Sequence, residues 1–324
     1  MKFEDVETAR QKCETKDEET SKKRRKAILI TCAIIFPLEI IILLLYLKPS
    51  NFSPSLFLLL IPIFLVFAFE LFLISTIVYL ITWKDTAIKT EYLIAYKRAY
   101  KAFFISQQLA KFFTDIHYDH TQGLDRNLLK ATGLIYTGDI YKSNDLVKAK
   151  YKNTDFLQAD VEIIEKQKDE DSNGEEVIEY VTVFKGRYLI FAFPKKFDFK
   201  MTVSYSGKGS SYINPKTHRG LSRIETESTE FNKRFLVYAE DGFEAFYILN
   251  PSFIENLEKI GEKYNNALSL YFSDNKMYVG LNNGNDTFEP PNPAEPLDEK
   301  AETAKVIEDM KLITALVDEL KLSK

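Results

Sequence analysis

The sequence predicts an α+β protein: a two-helix transmembrane hairpin, a long helical stalk, and then a mainly antiparallel β-sheet domain packed with helices. Two long apolar runs, residues 27–47 and 55–83, stand between clusters of lysine and arginine. After residue 84 comes a stretch with helical periodicity, and it is followed by short segments rich in β-branched and aromatic residues. These three observations give the expected order of the elements.

The two apolar runs are long enough to cross a bilayer. About 20 apolar residues in a helix cross a hydrocarbon core of about 30 Å, and the expected spans are residues 28–47 and 56–82. Pro49 and Pro54 in the short connection favour a turn. The stretch before the first run is 26 residues long and no small-x-small site follows the run, which argues against a cleaved signal peptide. We therefore expect a membrane hairpin over residues 27–83.

Basic residues near the ends of the runs predict the orientation. Five precede the first run, Lys48 alone lies in the connection, and five follow the second run. Because cytoplasmic segments carry the excess of lysine and arginine, both termini are expected in the cytoplasm. The residues expected to face anionic lipid headgroups are Lys22, Lys23, Arg24, Arg25, Lys26, Lys84 and Lys89.

Two carboxylates, Glu39 and Glu70, lie inside the expected spans, where a charge is costly. In a simple hairpin their depths differ by roughly 9 Å, so a shared site within one copy is not expected. The favoured interpretation is a protonated side chain satisfied by a neighbouring helix. An ion or proton site in an oligomer is the alternative.

The remaining chain is expected to divide into a charged tail (1–26), a helical stalk (84–131), an α+β cytoplasmic domain (132–289), a proline-rich linker (290–297) and a C-terminal helix (298–324). The stalk pattern predicts helices over residues 85–116 and 124–131. Six to eight strands are expected, among them residues 161–165, 177–184, 187–193, 201–205, 235–238, 267–272 and 276–281.

Two further helices are predicted near the C-terminus. Asn250 and Pro251 are typical of an N-cap and a first helical residue, so a helix is predicted over residues 251–264. The last helix, about residues 298–322, has an apolar stripe. Docking of that stripe on the sheet is favoured over a short coiled coil, which would support a homo-oligomer.

Composition excludes several classes of function. Residues 84–324 have 33 basic and 38 acidic side chains, a formal charge of −5, so no nucleic-acid partner is expected. Both cysteines, Cys13 and Cys32, precede residue 84, which leaves the predicted domain without a disulfide, a thiol nucleophile or a thiolate zinc site. The expected partners are the lipid bilayer and a membrane protein.

No catalytic or cofactor-binding residue is predicted, and no cofactor is expected. The metal candidates are Asp115, His117, Asp119 and His120, but cationic side chains are also favoured where the predicted helix ends. Residues 169–180 begin like a calcium loop, yet its twelfth position is Tyr180 instead of an acid. Residues 206–211 lack the Walker pattern of a phosphate-binding loop.

Four segments together resemble a bacterial family of membrane-anchored proteins that is classed as a domain of unknown function. They are residues 184–191 (FKGRYLIF), 224–231 (IETESTEF), 235–251 (FLVYAEDGFEAFYILNP) and 288–290 (FEP). The resemblance covers about residues 84–320 and the hairpin, and it implies an inner-membrane protein without supplying an activity. In the family a basic residue often precedes Tyr247, where this chain has Phe246. The aromatic residues of the third segment are expected to pack two helices onto the sheet, with Asp241 and Glu244 capping the first helix.

Three functional hypotheses follow. The first is a membrane-tethered cytoplasmic binding or scaffold module. The second is a membrane-bound enzyme that uses carboxylates around His117, His120 or Glu244, although an enzyme is not favoured. The third is a subunit of a transport or channel complex in which Glu39 and Glu70 face a wet interior.

Overall fold

A computed structural model describes residues 1–46, 56–170, 176–192, 198–206, 213–265 and 267–322. The chain divides into two compact units. The first contains Met1–Phe103 and Pro290–Leu297, and the second contains Phe104–Glu289 and Asp298–Lys324.

The first unit is built on two long antiparallel helices, α1 (Phe3–Tyr46) and α2 (Leu56–Tyr100). Ion pairs between the helices, Lys23 with Asp85 at 2.9 Å and Lys89 with Asp17, set their register. Residues 3–26, expected as a charged tail, form the first half of α1. The proline-rich segment packs against the same helices, since Arg10 of α1 donates to the Pro293 carbonyl and the Tyr96 hydroxyl of α2 donates to the Pro291 carbonyl at 3.3 Å.

Within the described ranges, no single helix meets the combined length and hydropathy requirement for a membrane span. One pair of helical segments, Phe69–Leu80 and Thr82–Phe112, bent by 48°, meets it together.

The second unit contains one antiparallel sheet, which has nine strands in the described part of the chain. Their order is β1-β2-β3-β4-β9-β8-β5-β7-β6. The strands are β1 (Thr114–Asp119), β2 (Ile140–Tyr151), β3 (Thr154–Glu170), β4 (Glu176–Ala192), β5 (Met201–Tyr205), β6 (Ser222–Ile224), β7 (Phe235–Ala239), β8 (Leu268–Ser273) and β9 (Lys276–Leu281). The expected α+β class with an antiparallel sheet is confirmed, and the sheet has one strand more than the expected six to eight.

Six shorter α-helices accompany the sheet within the described ranges. They are α3 (Ser106–Phe112), α4 (Arg126–Thr132), α5 (Thr229–Arg234), α6 (Gly242–Ile248), α7 (Pro251–Lys263) and α8 (Glu299–Glu319). Helix α7 begins as predicted, because the Asn250 side chain accepts a hydrogen bond from the Phe253 amide at 3.1 Å. Asp241 caps α6 in the same way, accepting from the amides of Phe243 and Glu244.

The long helix predicted over residues 85–116 ends earlier in the structure. Helix α2 passes into a π-helical turn over Lys101–Ile105 and then into α3, which ends at Phe112. Phe113 has an extended backbone, and Ile116 belongs to strand β1, which pairs with β2. Ile116 matched the helical spacing by coincidence, because a single apolar residue at the end of a periodic run fits either period.

Residues 177–184 and 187–193 were predicted as two strands but form the single strand β4 through residue 192. Gly186 lies within it at φ 152°, and a Cβ atom there would come within 2.0 Å of the Leu281 carbonyl oxygen on β9. The glycine therefore marks a close approach between neighbouring strands instead of a turn.

Both faces of the sheet are covered. On one face, α4 packs Leu129 into an apolar core with Val161, Tyr188 and Tyr278. On the other face, Phe253 of α7 meets Phe272 of β8 with ring centroids 6.1 Å apart. Helix α8 packs against α3 and α7 and buries its apolar stripe, Val306, Met310, Leu312, Ile313, Leu316 and Val317. The stripe expected to dock is thus covered by the chain itself, which leaves no coiled-coil seam on α8.

The aromatic residues of the segment 235–251 do not all pack onto the sheet as expected. Phe243 is 89 % exposed, and Phe246 and Tyr247 are also exposed on α6. Ala245 and Ile248 occupy the buried side of this short helix instead. A short helix that packs by one side buries only that side, and the two smaller residues lie there.

Candidate functional site

The predicted polar residues of the hairpin fall on α1 and α2. The side chain of Glu39 lies outside the residues whose side chains the structure describes, and Glu70 is half-buried on α2. Residues 22–26 and Lys84 are exposed, and Lys89 is half-buried. Two of these residues, Lys23 and Lys89, form the ion pairs between the helices. Two of the basic residues expected to meet lipid headgroups thus form ion pairs between the two helices.

Exposed apolar side chains cover the part of both helices beyond these basic residues. We call them the apolar belt: Leu29, Ile30, Phe67, Phe69, Phe72, Tyr79, Leu80 and Trp83. On α1 the belt begins after Lys26, and on α2 it ends just before Lys84. Because Lys23 pairs with Asp85, the basic residues that border the belt on the two helices lie at the same level. Beyond Lys84, α2 also exposes Ile88, Tyr92 and Ile94 among its polar residues.

The metal candidates lie on and just after the edge strand β1. Asp115 pairs with Lys150 at 3.2 Å, and Asp119 accepts hydrogen bonds from the amide and hydroxyl of Thr121. His117 is exposed and His120 is half-buried. The structure does not bring ligand atoms of three of these four residues within 4.8 Å of one another.

A different group of acids does converge, at the opposite face of β1 and its neighbours. Among the described residues, Asp145, Asp160 and Asp286 are the one group of three or more acid, histidine or cysteine residues with potential ligand atoms all within 4.8 Å of one another. We call these three residues the carboxylate cluster. Asp145 comes from β2, Asp160 from β3 and Asp286 from the segment after β9.

The pairing of strands β2 and β3 brings Asp145 and Asp160 together. The pairing of β2 with β3 shifts register between Asn144 and Val147, and Asp145 has a left-handed φ of 57° in this bulge. Asp145 is fully buried and Asp160 is only 4 % exposed. Bulges commonly re-aim a side chain, and here the bulge accompanies a buried acid.

Several donors face the cluster. The Tyr118 hydroxyl donates to Asp145 Oδ1 at 2.6 Å and the Asn144 amide donates to Asp145 Oδ2 at 2.6 Å. The Thr287 backbone amide donates to Asp160 Oδ2 at 2.9 Å. Asp160 Oδ1 is buried and has no hydrogen-bond donor among the residues that the structure describes.

Arg187 of β4 lies beside the cluster but is held by other groups. Its Nε donates to Thr287 Oγ1 at 2.7 Å, while Nη1 and Nη2 donate to the carbonyl and Oδ1 of Asp309 on α8 at 2.7 and 2.6 Å. The guanidinium lies over the Phe288 ring at 5.8 Å. Arg187 thereby joins β4, α8 and the segment after β9, and its charge also acts on Asp160.

Burial dominates the electrostatics of this region. It raises the pKa of Asp160 to about 7, against the opposing effect of Arg187 and with a further increase from Asp286 and Asp145. Burial also raises the pKa of Tyr118, and the Asp145 charge adds to that shift. Two full negative charges 4–5 Å apart repel by roughly 3–4 kcal/mol at an effective dielectric constant of 20. Three ionised carboxylates in this space therefore need a proton or a cation.

The sequence contained a signal for this site that its local patterns did not reveal. Two of the segments that resemble the family of unknown function, residues 184–191 and 288–290, contain Arg187 and Phe288, which lie next to the cluster. The carboxylates themselves stand at positions 145, 160 and 286. They meet through the pairing of β2 with β3 and the path of the segment after β9, so spacing along the chain could not identify them.

A shallow acidic depression of about 720 Å³ lies beside α6 in the same unit. Glu240, Asp241 and Glu244 line it together with Asp198 and Asp274. One of these acids is compensated, since Glu240 pairs with Lys200 at 3.4 Å. Exposed aromatic residues and an acidic rim thus occur together at this helix.

Comparison with known proteins supports a domain of unknown function. The family described as "Protein of unknown function (DUF3137)" matches residues 182–322, from the second half of β4 to the end of α8. This range is shorter than the resemblance expected over residues 84–320. No curated protein matches the sequence.

The comparison with solved structures matches the mycobacterial trehalose monomycolate transport factor A (TtfA). The alignment covers 70 % of this chain and 97 % of the TtfA chain, with 11 % sequence identity and a TM-score of 0.34. A similarity this low does not establish a shared fold.

Proposed function

We propose that this protein is a membrane-tethered binding module whose helices α1 and α2 anchor it through the apolar belt. The observation behind the proposal is the common level at which basic residues of both helices border the apolar belt. Trp83 stands at that level, as aromatic residues do at membrane interfaces, and Lys84 and Lys22–Lys26 follow on the charged side. An exposed apolar surface of this extent on paired helices is typical of contact with lipid or protein.

Replacement of belt residues by acids tests the anchor. An aspartate in the middle of a membrane helix costs roughly 2.5–3.5 kcal/mol on insertion scales, whereas on a water-exposed helix it is nearly neutral. We expect the Phe69→Asp/Phe72→Asp variant to leave the membrane fraction during carbonate extraction of expressing cells. The control Thr86→Asp/Thr90→Asp, on exposed positions of the charged half of α2, should stay with the wild type in the pellet. Extraction of the wild type by carbonate, or retention of the belt variant, would refute the anchor.

Labelling of single cysteines tests the orientation expected from the charge distribution. In a chain with Cys13→Ala and Cys32→Ala, we expect Asn51→Cys to react with a membrane-impermeant maleimide on intact spheroplasts. Lys12→Cys, exposed on α1, should react only after the membrane is opened. Reaction of Lys12→Cys on intact spheroplasts would place the termini outside the cytoplasm.

We further propose that the binding role belongs to α6 and the acidic depression beside it, with a basic polypeptide segment as partner. Phe243 supplies exposed aromatic area, and Glu244 and Asp241 supply negative charge that favours lysine or arginine. The test is a photo-crosslinking residue in place of Phe243, with Tyr180, exposed on β4, as the control position.

We expect a specific adduct at position 243 that Glu244→Lys abolishes and the distant Glu179→Lys does not. An adduct insensitive to Glu244→Lys, or equal labelling from position 180, would contradict the charge-dependent site.

A further inference from the structure

The carboxylate cluster contains a buried carboxylate oxygen that has no donor among the described residues. Asp145 accepts from Tyr118 and Asn144, and Asp160 accepts from the Thr287 amide on Oδ2. Asp160 Oδ1 is buried without a donor among the described residues, although its carboxylate belongs to the group that converges within 4.8 Å. The Nε, Nη1 and Nη2 atoms of Arg187 donate to Thr287 and Asp309. The positive charge of Arg187 also acts on Asp160.

We propose that Asp145, Asp160 and Asp286 bind one hard divalent cation, Ca²⁺ or Mg²⁺, at the face of the sheet formed by β2 and β3. The donor set consists of carboxylate oxygens, which are the ligands these two cations prefer. The separation of the oxygens, 4.8 Å or less, is compatible with atoms that surround one ion at 2.0–2.6 Å. A cation here supplies the contact that Asp160 Oδ1 lacks.

The location of the ligands determines what the cation does. Asp145 and Asp160 stand on paired strands, whereas Asp286 stands on the segment between β9 and α8. Thr287 and Phe288 of this segment already contact Asp160 and Arg187. A bound cation ties the segment to the sheet more firmly and stabilises the second unit, because a ligand that binds only the folded state raises the free energy of unfolding.

The test is thermal unfolding of the detergent-solubilised full-length chain after removal of metals with EDTA and dialysis. We expect CaCl₂ or MgCl₂ to raise Tm saturably, by roughly 5 °C at a hundredfold excess over Kd, relative to KCl of the same ionic strength. Separate titrations with the two salts identify the preferred cation. A response to either supports the site.

Two variants localise the response. Asp286→Asn removes one charge at a half-buried position and should weaken the apparent affinity roughly tenfold or more. Asp115→Asn is the matched control, since Asp115 is an exposed acid on β1 with a φ of 52° that asparagine also tolerates. It should keep the wild-type response.

If Asp286→Asn does not fold, Tb³⁺ luminescence tests the cation site instead. Tb³⁺ replaces Ca²⁺ at oxygen sites and emits when a nearby tyrosine is excited, and the Tyr118 hydroxyl is bonded to Asp145. We expect Tb³⁺ emission that CaCl₂ or MgCl₂ displaces and that Tyr118→Phe reduces. The proposal is overturned if neither salt raises the Tm of the wild type beyond the KCl control. It is also overturned if a folded Asp286→Asn variant responds like the wild type, or if the Tb³⁺ emission is unchanged by both salts and by Tyr118→Phe.

Discussion

The hydroxyl of Tyr118 donates a hydrogen bond of 2.6 Å to Oδ1 of Asp145, joining the edge strand β1 to the bulge of β2. Asp145 is fully buried, and its two carboxylate oxygens accept from Tyr118 and Asn144. The Tyr118 ring meets Phe288 edge-on, with centroids 6.1 Å apart. One tyrosine thus stabilises both a buried charge and the segment after β9.

Removal of the Tyr118 hydroxyl should lower the free energy of unfolding. Tyr118→Phe leaves Asp145 with one donor fewer, and a buried acceptor that loses its partner costs about 1–3 kcal/mol. We expect the free energy of unfolding, measured by urea denaturation of the solubilised chain, to fall by that amount. Tyr136→Phe, at an exposed tyrosine, should change it by less than about 0.5 kcal/mol. Equal effects of the two variants would show that the hydrogen bond contributes little.

Among the described basic residues of the second unit, we expect replacement of Arg187 to lower the free energy of unfolding the most. Its side chain is 3 % exposed and pairs with Asp309 at 2.6 Å. Removal of one partner of a buried ion pair costs about 3–5 kcal/mol because the other charge stays buried. The Asp309 side chain is 25 % exposed, so we expect the lower end, about 3 kcal/mol. Urea denaturation should therefore show a loss of that size for Arg187→Met. Arg223→Met, whose ion pair with Glu225 is exposed at 4.0 Å, should be nearly neutral, and a similar loss there would argue against the buried-pair explanation.

Gly186 should not tolerate a side chain. Gly186→Ala places a Cβ atom 2.0 Å from the Leu281 carbonyl oxygen, so the β4–β9 pairing has to separate. We expect a loss of more than about 3 kcal/mol or failure to fold, seen as reduced sheet signal in circular dichroism. Gly242→Ala is the comparison. There the nearest atom is Ile224 Cδ1 at 3.1 Å, the end of a flexible side chain, and a change within about 1 kcal/mol is expected. Wild-type stability of Gly186→Ala would mean that the two strands do not approach so closely.

His218 should make stability depend on pH. Its ring stacks on Tyr238 with centroids 4.0 Å apart, and burial lowers its pKa below the usual 6.5. The unfolded chain then binds the proton more readily than the folded chain, so this contribution is complete above about pH 6.5 and is lost as the pH falls toward the folded pKa.

Urea denaturation between pH 7.5 and pH 5.5 measures this loss. The raised pKa of Asp160 favours the folded state as the pH falls and acts equally in the wild type and in His218→Gln. We therefore compare the two: over that interval the stability of His218→Gln should rise relative to the wild type by on the order of 1 kcal/mol or less. His117→Gln, at an exposed position, should retain the wild-type slope. If His218→Gln keeps the full slope, other groups cause the pH dependence.

Local signals accounted for much of the fold. Asn250 and Pro251 start α7 as predicted, because a cap needs only a side chain and the next two or three backbone amides. The hairpin between β8 and β9 also formed where expected, with Asp274 and Asn275 at φ 53° and 57°, as a tight turn requires. Features of this kind depend on neighbours along the chain.

Predictions that depended on distant partners were less successful. Residues 177–184 and 187–193 were predicted as separate strands because the sequence does not contain the position of Leu281, which makes Gly186 necessary inside one strand. Phe243 was expected in the core, and its exposure followed from which side of α6 meets the sheet.

By itself, the sequence determined the apolar runs, their basic flanks, the α+β order and the main caps and turns, since each depends on composition or on residues a few positions apart. Tertiary structure alone decided that Asp145, Asp160 and Asp286 meet and that Arg187 is committed to Asp309. The physical reason is that these contacts join β2, β3, β4, α8 and the segment after β9. Only strand register and helix packing bring such distant residues together, and neither follows from local preferences.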